Sequence, residues 1–167
     1  MSTGRICGVE ALARWMHPMR GAVPPIEFIP LAEDSGLIAE LGELMLRMVC
    51  VEASKWRDEF GAHGRFTVSV NVSRAQLRKP DLPEVIMRVR VETGLDARAL
   101  RLELTESVAM QDAQIIPTLN RLRTLGVSLA LDDFGTGYSS LATLDQLPLD
   151  AVKIDRSFVE RMVENRY

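Results

Sequence analysis

The feature that most restricts the fold is a set of short β-rich segments in which apolar and polar residues alternate. The clearest is segment 68–73, Val-Ser-Val-Asn-Val-Ser, where every second residue is polar. Successive side chains of a strand point to opposite faces, so each strand has one apolar face and one face that carries polar groups. We predict strands at residues 6–12, 66–72, 100–104, 127–132 and 151–154.

Helical patterns separate these strands. Apolar residues recur at helical spacing over 37–60, which predicts an apolar face formed by Leu41, Leu44, Met45, Met48 and Val49. A glycine directly follows the patterns at 82–93 and 113–125, as at many helix ends. We also predict helices at 138–146 and 157–164. Repeated strand–helix units indicate a parallel sheet with right-handed crossovers. A sheet covered on both faces would have nearly continuous apolar strands. A polar inner face is instead typical of a barrel. The predicted fold class is therefore α/β, an incomplete TIM-like (β/α) barrel with about five of eight strand–helix units.

Composition narrows the functional classes. The 167 residues suit one domain, and the net charge of −3 gives no reason to expect DNA or RNA as a partner. No apolar run approaches the roughly 20 residues of a membrane helix, and the start lacks the apolar centre of a signal peptide. Cys7 and Cys50 make no disulfide framework, and we expect both to be reduced core residues. These observations predict a cytoplasmic protein without a membrane segment.

One polar residue lies late on the inner face of each predicted strand: Glu10, Asn71, Glu103, Asp132 and Lys153. Four of these offer oxygen ligands of the kind that Mg²⁺, Mn²⁺ or Ca²⁺ prefers. Asp133 follows Asp132 where the strand ends, so both side chains can face the same region. An adjacent pair of this kind can bridge two cations about 3.5–4 Å apart, as in phosphoester cleavage.

A purely structural role is the alternative for these polar residues. Any one inward acid is often part of a buried ion pair, and Lys153 alone would neutralise Asp132 or Glu103. Burying the whole set without a cation would be very costly, because unpaired charges resist transfer out of water. The complete set therefore favours a metal site over a structural network.

The motifs around these residues resemble, in order, those of the EAL domain family of cyclic di-GMP phosphodiesterases. The matching segments are Glu10-Ala11-Leu12 with Arg14, the segment 28–38, Asn71-Val72-Ser73, Glu103-Leu104-Thr105-Glu106-Ser107, the segment 132–141, and Lys153-Ile154-Asp155. The resemblance implies that residues 1–167 form a single partial EAL domain holding the second to sixth strands of the family.

The resemblance also implies a function and a set of roles. The function is hydrolysis of cyclic di-GMP to linear pGpG with Mg²⁺ or Mn²⁺. The implied metal ligands are Glu10, Asn71, Glu103 and Asp132, with Asp133 serving a second ion. Lys153 and Asp133 are the implied catalytic residues, and Lys153 would hold the attacking water or a phosphate oxygen. Glu106 would brace the loop 134–140. Leu12, Arg14 and Asp155 are the expected substrate-binding residues, and Asp155 is also the nearest substitute for a general base.

Departures from the family lie at the two ends. The strand bearing Tyr-Gln-Pro and the strand bearing Ala-Glu-Gly-Val-Glu, whose first glutamate is the usual general base in the family, do not occur in this sequence. We therefore expect little or no activity from this chain alone. Five strands leave open sheet edges, so we expect a homo-oligomer. Sensor or diguanylate cyclase-type domains are expected in a longer parent protein.

Two other functions compete with hydrolysis. A non-catalytic cyclic di-GMP receptor would keep the ligand contacts, but such receptors usually lose metal ligands, and those this sequence covers are present. A phosphoacceptor receiver domain also has five β/α units with an acidic pair. In receivers that pair closes the first strand, whereas here it closes the fourth, which argues against a receiver.

Overall fold

The protein is described by a computed structural model that covers residues 6–60, 66–135 and 144–164. The strands are β1 Gly8–Ala11, β2 Trp15–His17, β3 Gly21–Val23, β4 Thr67–Asn71, β5 Leu100–Thr105, β6 Ser128–Phe134 and β7 Ala151–Ile154. The helices are α1 Pro25–Asp34, α2 Ile38–Phe60, α3 Arg74–Leu77, α4 Leu82–Thr93, α5 Glu106–Gln111, α6 Ile116–Thr124 and α7 Arg156–Glu164. Short 3₁₀ turns at Ala97–Ala99 and Ala113–Ile115 precede β5 and α6.

The main sheet has five parallel strands in the order β1-β4-β5-β6-β7. It curls into half of a barrel, and helices lie in the crossovers from β1 to β4, from β4 to β5 and from β5 to β6. The predicted fold class, an incomplete TIM-like barrel, is confirmed. A separate antiparallel pair, β2 and β3, follows β1 and was not expected from the sequence.

The core lies between the outer face of this half-barrel and the helices. Alternate residues of β5 and β6 point into it, and these leucines are almost completely buried: Leu100, Leu102, Leu104, Leu129 and Leu131. Helices α4 and α6 contribute Ile86, Val89, Leu119 and Leu122. Burying one such side chain stabilises the fold by about 1.5–3 kcal/mol. The apolar face of the sheet thus packs against the helices, and the face that carries the polar residues lines the inside of the half-barrel.

Strand register gathers the inward polar residues. Asn71 lies beside Glu103, and Asp132 lies beside Thr105, in the parallel pairs β4–β5 and β5–β6. Because all five strands run in the same direction, their carboxyl ends meet at one edge of the half-barrel. Every inward polar residue predicted from the sequence therefore falls at that edge.

The helices follow the predicted ranges closely where glycine ends them. Helix α4 spans Leu82–Thr93 as predicted, and Gly94 after it adopts a left-handed φ of 71°, which residues with a side chain rarely adopt. Helix α2 begins one residue later than predicted. Most of the predicted helix 138–146 lies outside the described residues.

Two expectations about apolar residues were wrong. Leu44 and Met48 were placed on the apolar face of the helix over 37–60, yet both are more than half exposed. The buried side of α2 is formed by Ile38, Leu46, Cys50 and Ala53. Cys7, predicted to lie in the core, is exposed, because it precedes the edge strand β1. Among the described residues, no helix is both long and apolar enough to cross a membrane.

Candidate metal centre

Three carboxylates meet at the carboxyl edge of the half-barrel. One oxygen each from Glu10, Glu103 and Asp132 lies within 4.8 Å of the others. They come from β1, β5 and β6, and their burial differs: Glu103 is buried, Asp132 is half-buried and Glu10 is exposed. An all-oxygen set open on one side suits a hard divalent cation that keeps some of its water ligands. These residues fit the metal that the sequence predicts.

Asn71 borders this cluster from β4. Its Nδ2 donates a hydrogen bond of 2.9 Å to Oε1 of Glu10. The amide therefore lies between the β1 carboxylate and the β5 carboxylate, because β4 is the strand between them. The structure brings this predicted ligand to the cluster, in contact with one of the three acids.

Lys153 reaches the same cluster from β7. Its Nζ lies 2.6 Å from Glu103 Oε2, 3.2 Å from Asp132 Oδ1 and 3.3 Å from Glu10 Oε2. Partial burial would lower the pKa of Lys153, but its hydrogen bonds to Glu103 and Asp132 outweigh that effect and raise the pKa above its ordinary value. Lys153 is therefore a fixed positive charge at the centre of the acidic group.

Asp133 has an unusual backbone. Its φ of 56° lies in the left-handed region, and it is the non-glycine residue with positive φ in the described part of the chain. This conformation breaks the alternation of β6. Desolvation of the carboxylate, followed by the charges of Asp132 and Asp155, raises the pKa of Asp133. Asp133 directly follows Asp132 near the end of β6, so it lies at the same edge of the half-barrel.

Glu106 holds the chain that leaves β6. It is the buried first residue of α5, and its Oε2 accepts a hydrogen bond of 2.7 Å from the backbone N–H of Gly135. Gly135 has a left-handed φ of 101°. Glu106 therefore contacts the first residue after β6, where the loop 134–140 that it was predicted to brace begins. Residues 136–140 of that loop lie outside the described residues.

The predicted substrate-binding residues lie further apart than the residues of the acidic cluster and do not contact one another in the described hydrogen bonds. Leu12 and Arg14 follow β1 and are exposed, and Arg14 donates to the carbonyl of its neighbour Ala13. The carboxylate of Asp155 accepts hydrogen bonds from the hydroxyl and the N–H of Ser157, and these bonds lower the pKa of Asp155. Asp155 thus caps the start of α7, and its lowered pKa makes it a poor proton acceptor.

Two residues near the site carried no signal in the sequence. Ser157 binds the carboxylate of Asp155, and the ring of Phe158 lies against Gly135. The helical pattern over 157–164 includes both residues. It does not reveal their partners, because those contacts depend on how α7 is placed against the end of β6.

The fold and the site define a parallel α/β half-barrel with an acidic, lysine-containing cluster at the carboxyl ends of its strands. The sequence profile of the EAL domain family matches residues 1–167. The chain belongs to the EAL domain family.

Individual relatives agree with this assignment. The cyclic di-GMP phosphodiesterase NbdA of Pseudomonas aeruginosa is 44% identical over 160 residues, which cover 95% of this chain and 20% of that protein. MucR of the same organism, a bifunctional diguanylate cyclase/cyclic di-GMP phosphodiesterase, is 40% identical over 163 residues, covering 97% of this chain and 24% of that protein.

A solved structure agrees as well. The PaMucR phosphodiesterase in complex with cyclic di-GMP matches with a TM-score of 0.87 and 40% identity, over 97% of this chain and 65% of that chain. The present chain thus spans about a fifth to a quarter of the length of these curated relatives, and about two thirds of the solved domain.

Proposed function

We propose that this chain is the metal-binding part of a phosphodiesterase that hydrolyses cyclic di-GMP to linear pGpG. The observation that carries the proposal is the set of three carboxylates, from three different strand ends, whose oxygens lie within 4.8 Å of one another. Relatives 40–44% identical over nearly the whole chain are cyclic di-GMP phosphodiesterases, which supports this substrate.

Mg²⁺ or Mn²⁺ is the proposed cofactor. When bound, such an ion polarises a phosphate oxygen and makes a coordinated water more acidic. Glu10, Glu103 and Asp132 would hold it with Asn71, and Asp133 would serve a second ion. The all-oxygen donor set supports this choice over a metal that prefers thiolate.

Other residues of the chain would act on the substrate itself. Lys153 is the group suited to bind a phosphate oxygen or orient the attacking water, because it is a fixed ammonium between the carboxylates. Leu12 and Arg14, exposed just beyond β1, would contact the ligand, Arg14 through a phosphate. Asp155, which directly follows β7, would also contact the substrate.

Proton transfer is the step for which this chain is least equipped. A group that accepts the proton of the attacking water is typically worth about 10²–10⁴-fold in rate. Glu106 is committed to Gly135, and the lowered pKa of Asp155 makes it a weak base. We therefore propose that this chain alone turns over cyclic di-GMP slowly or not at all.

A cyclic di-GMP receptor is the second candidate. The observation in its favour is that Lys153 already contacts all three carboxylates, so the acidic cluster is balanced in part without a metal. A receptor of this kind would bind cyclic di-GMP equally well with and without a divalent ion.

The test measures binding and turnover on the same purified chain. Calorimetry with Mn²⁺, and then with cyclic di-GMP in the presence or absence of Mn²⁺, is combined with chromatographic detection of pGpG. We expect Mn²⁺ binding that Glu103→Gln removes, and cyclic di-GMP binding that depends on the metal. The matched control is Glu52→Gln, which changes an exposed acid on α2 and should leave both unchanged.

Each outcome of that test is informative. Equal Mn²⁺ binding by the unaltered chain and by Glu103→Gln would refute the metal site. Cyclic di-GMP binding that ignores Mn²⁺ would favour the receptor. Clear turnover abolished by Asp132→Asn would establish the enzyme and show that the expectation of little activity is wrong.

Assembly into a larger protein is also proposed. The chain spans about a fifth to a quarter of its relatives, and one of these relatives is bifunctional. We propose sensor or diguanylate cyclase-type domains beside this one in a longer parent, and self-association of the EAL unit.

A further inference from the structure

The aromatic ring of Phe158 closes over the backbone of Gly135. Phe158 lies in the first turn of α7, and Gly135 is the first residue after β6. A Cβ built on Gly135 would lie 2.9 Å from Cδ2 of the ring and closer still to Cζ and Cε2. Contacts this short do not occur between real side chains, so the ring occupies the space that any residue other than glycine would need.

The same peptide is held from the opposite helix. The N–H of Gly135 donates to the buried carboxylate of Glu106 on α5, at 2.7 Å. One residue earlier, the carbonyl of Phe134 accepts a hydrogen bond of 3.2 Å from the N–H of Asp155, just before α7. The turn after Asp132 and Asp133 is thus held by two hydrogen bonds and by an aromatic ring.

We propose that Phe158 is a positioning residue that, together with Glu106, holds the turn at Gly135 and thereby orients the carboxylates of Asp132 and Asp133. The part of this inference that concerns metal binding rests on the proposed function. The part that concerns the turn does not, because it describes contacts within the chain.

The physical reason is the freedom of glycine. At a φ of 101°, Gly135 adopts a conformation that is one of several open to a residue without a side chain. Hydrogen bonds with Glu106 and Asp155 fix both polar groups of the peptide between Phe134 and Gly135, but neither occupies the side of Gly135 where a Cβ would lie. A ring packed on that side removes the alternatives. When a group that contacts the reacting atoms is misplaced by about 1 Å, the rate of the catalysed reaction can fall by about 10²-fold.

Phe158 is also unlike a core residue. Its side chain is 40% exposed, and the guanidinium of Arg161 lies 5.9 Å from the ring centroid, which favours one ring orientation. Its removal should therefore leave the fold intact. This separates a positioning role from a role in overall stability.

The first experiment follows the turn itself, without metal. Amide hydrogen exchange of Gly135 is measured by NMR in the unaltered chain, in Phe158→Ala and in Phe158→Leu. We expect exchange about tenfold faster in Phe158→Ala and a partial return in Phe158→Leu, which keeps much of the apolar volume. The N–H of Leu129 on β6, which donates to the carboxylate of Asp150, is the internal reference and should not change.

The second experiment follows the effect on the acids. Mn²⁺ titration calorimetry should give about tenfold weaker binding in Phe158→Ala, restored in part by Phe158→Leu. Val159→Ala is the matched control, because it removes an exposed apolar side chain from the next position of the same helix. Gly135→Ala should weaken binding too, and less so when Phe158→Ala makes room for the added methyl group.

The two readouts separate the possible failures. Unchanged exchange at Gly135 in Phe158→Ala overturns the positioning role. Faster exchange with unchanged Mn²⁺ binding overturns the link from the turn to Asp132 and Asp133. If the unaltered chain binds no Mn²⁺, the proposed function fails, while the exchange result still decides the role of Phe158. If Phe158→Ala does not fold, Phe158→Leu carries the same comparisons.

Discussion

At the scale of single residues, Lys153 and Glu103 form the most consequential pair. The carboxylate of Glu103 is 2% exposed, and its contact with the Lys153 ammonium is the shortest of the three that Lys153 makes in the cluster. A buried carboxylate without a cation is strongly disfavoured, because it has lost its water. Lys153 therefore serves the fold as well as any chemistry.

We predict that Lys153→Met destabilises the metal-free protein by about 1–3 kcal/mol. The value lies below the full range for a buried pair, because Lys153 is 38% exposed and solvent screens part of the interaction. Urea unfolding without metal measures it. The control is Lys55→Met, which breaks an exposed pair with Glu52 on α2 and should cost less than about 0.5 kcal/mol. Equal losses in the two variants would contradict the prediction.

The candidate ligands were predictable residue by residue. Glu10, Glu103 and Asp132 stood out because each broke an otherwise apolar or small inner face late in a strand, and the structure brings them together. The partner of Phe158 was not predictable. Its contact joins two segments whose relative placement is fixed by the packing of α7, and no local pattern encodes that placement.

At the scale of secondary-structure elements, the central strands and their helices carry the stability. Leu129 on β6 is fully buried between its neighbouring strands and the helices. Its removal leaves a cavity that a closely packed core cannot fill.

We predict that Leu129→Ala lowers the free energy of unfolding by about 2–5 kcal/mol. Val91→Ala on α4 is the control, since that side chain is 76% exposed, and it should change stability by less than about 0.5 kcal/mol. Chemical denaturation of both variants tests this. A similar small change in both would mean that β6 is not packed as described.

A second element-level contact ties the end of α3 to the turn before α6. The buried carboxylate of Asp112 accepts hydrogen bonds from Arg78 and from the N–H of Gln114. The bond from Arg78 comes first among the causes that lower the pKa of Asp112. A carboxyl group whose folded pKa is lowered stabilises the fold above its unfolded pKa, and the benefit disappears as the pH falls through the folded pKa.

We therefore predict that Asp112→Asn lowers the melting temperature by a few degrees at pH 7. The difference from the unaltered chain should start to shrink as the pH falls below about 4, because the unfolded chain then binds a proton at Asp112 that the folded protein binds only at lower pH. Thermal unfolding followed by circular dichroism from pH 7 to pH 3 measures both values. A difference that stays constant over this range would show that the charge of Asp112 contributes nothing.

The elements themselves were predictable where local signals agreed. All five barrel strands and helix α4 were located because alternation and the terminal glycine point the same way. Helix α1 was missed because Pro24, Pro25 and Pro30 resemble a loop. Pro24 and Pro25 lie at the start of the helix, where proline is tolerated, whereas Pro30 lies inside it. Burial of Phe28 and Ala32 on one face accompanies the helix.

At the scale of the whole molecule, the half-barrel has two edge strands. Within the described residues, β1 pairs with β4 and β7 pairs with β6, and each leaves its other side without a strand. Apolar side chains on these edges are exposed, among them Val9, Val152 and Ile154. Unpaired backbone groups beside apolar side chains favour pairing with another chain.

We predict self-association that depends on concentration, and that Val152→Lys with Ile154→Lys weakens it about tenfold or more. Sedimentation velocity over a range of concentrations measures it. Val91→Lys is the control, since it adds charge at an exposed apolar site away from the sheet edge. A monomer at every concentration would contradict the prediction.

The contacts of Lys153 have a consequence for the valence of the ion that the cluster accepts. Three carboxylates and one ammonium carry a formal charge of −3 + 1 = −2. A doubly charged ion brings the net charge to zero. A singly charged ion leaves a net charge of about −1, and a triply charged ion leaves about +1. Because Glu103 is buried and uncompensated charge is disfavoured away from water, this balance favours a divalent ion.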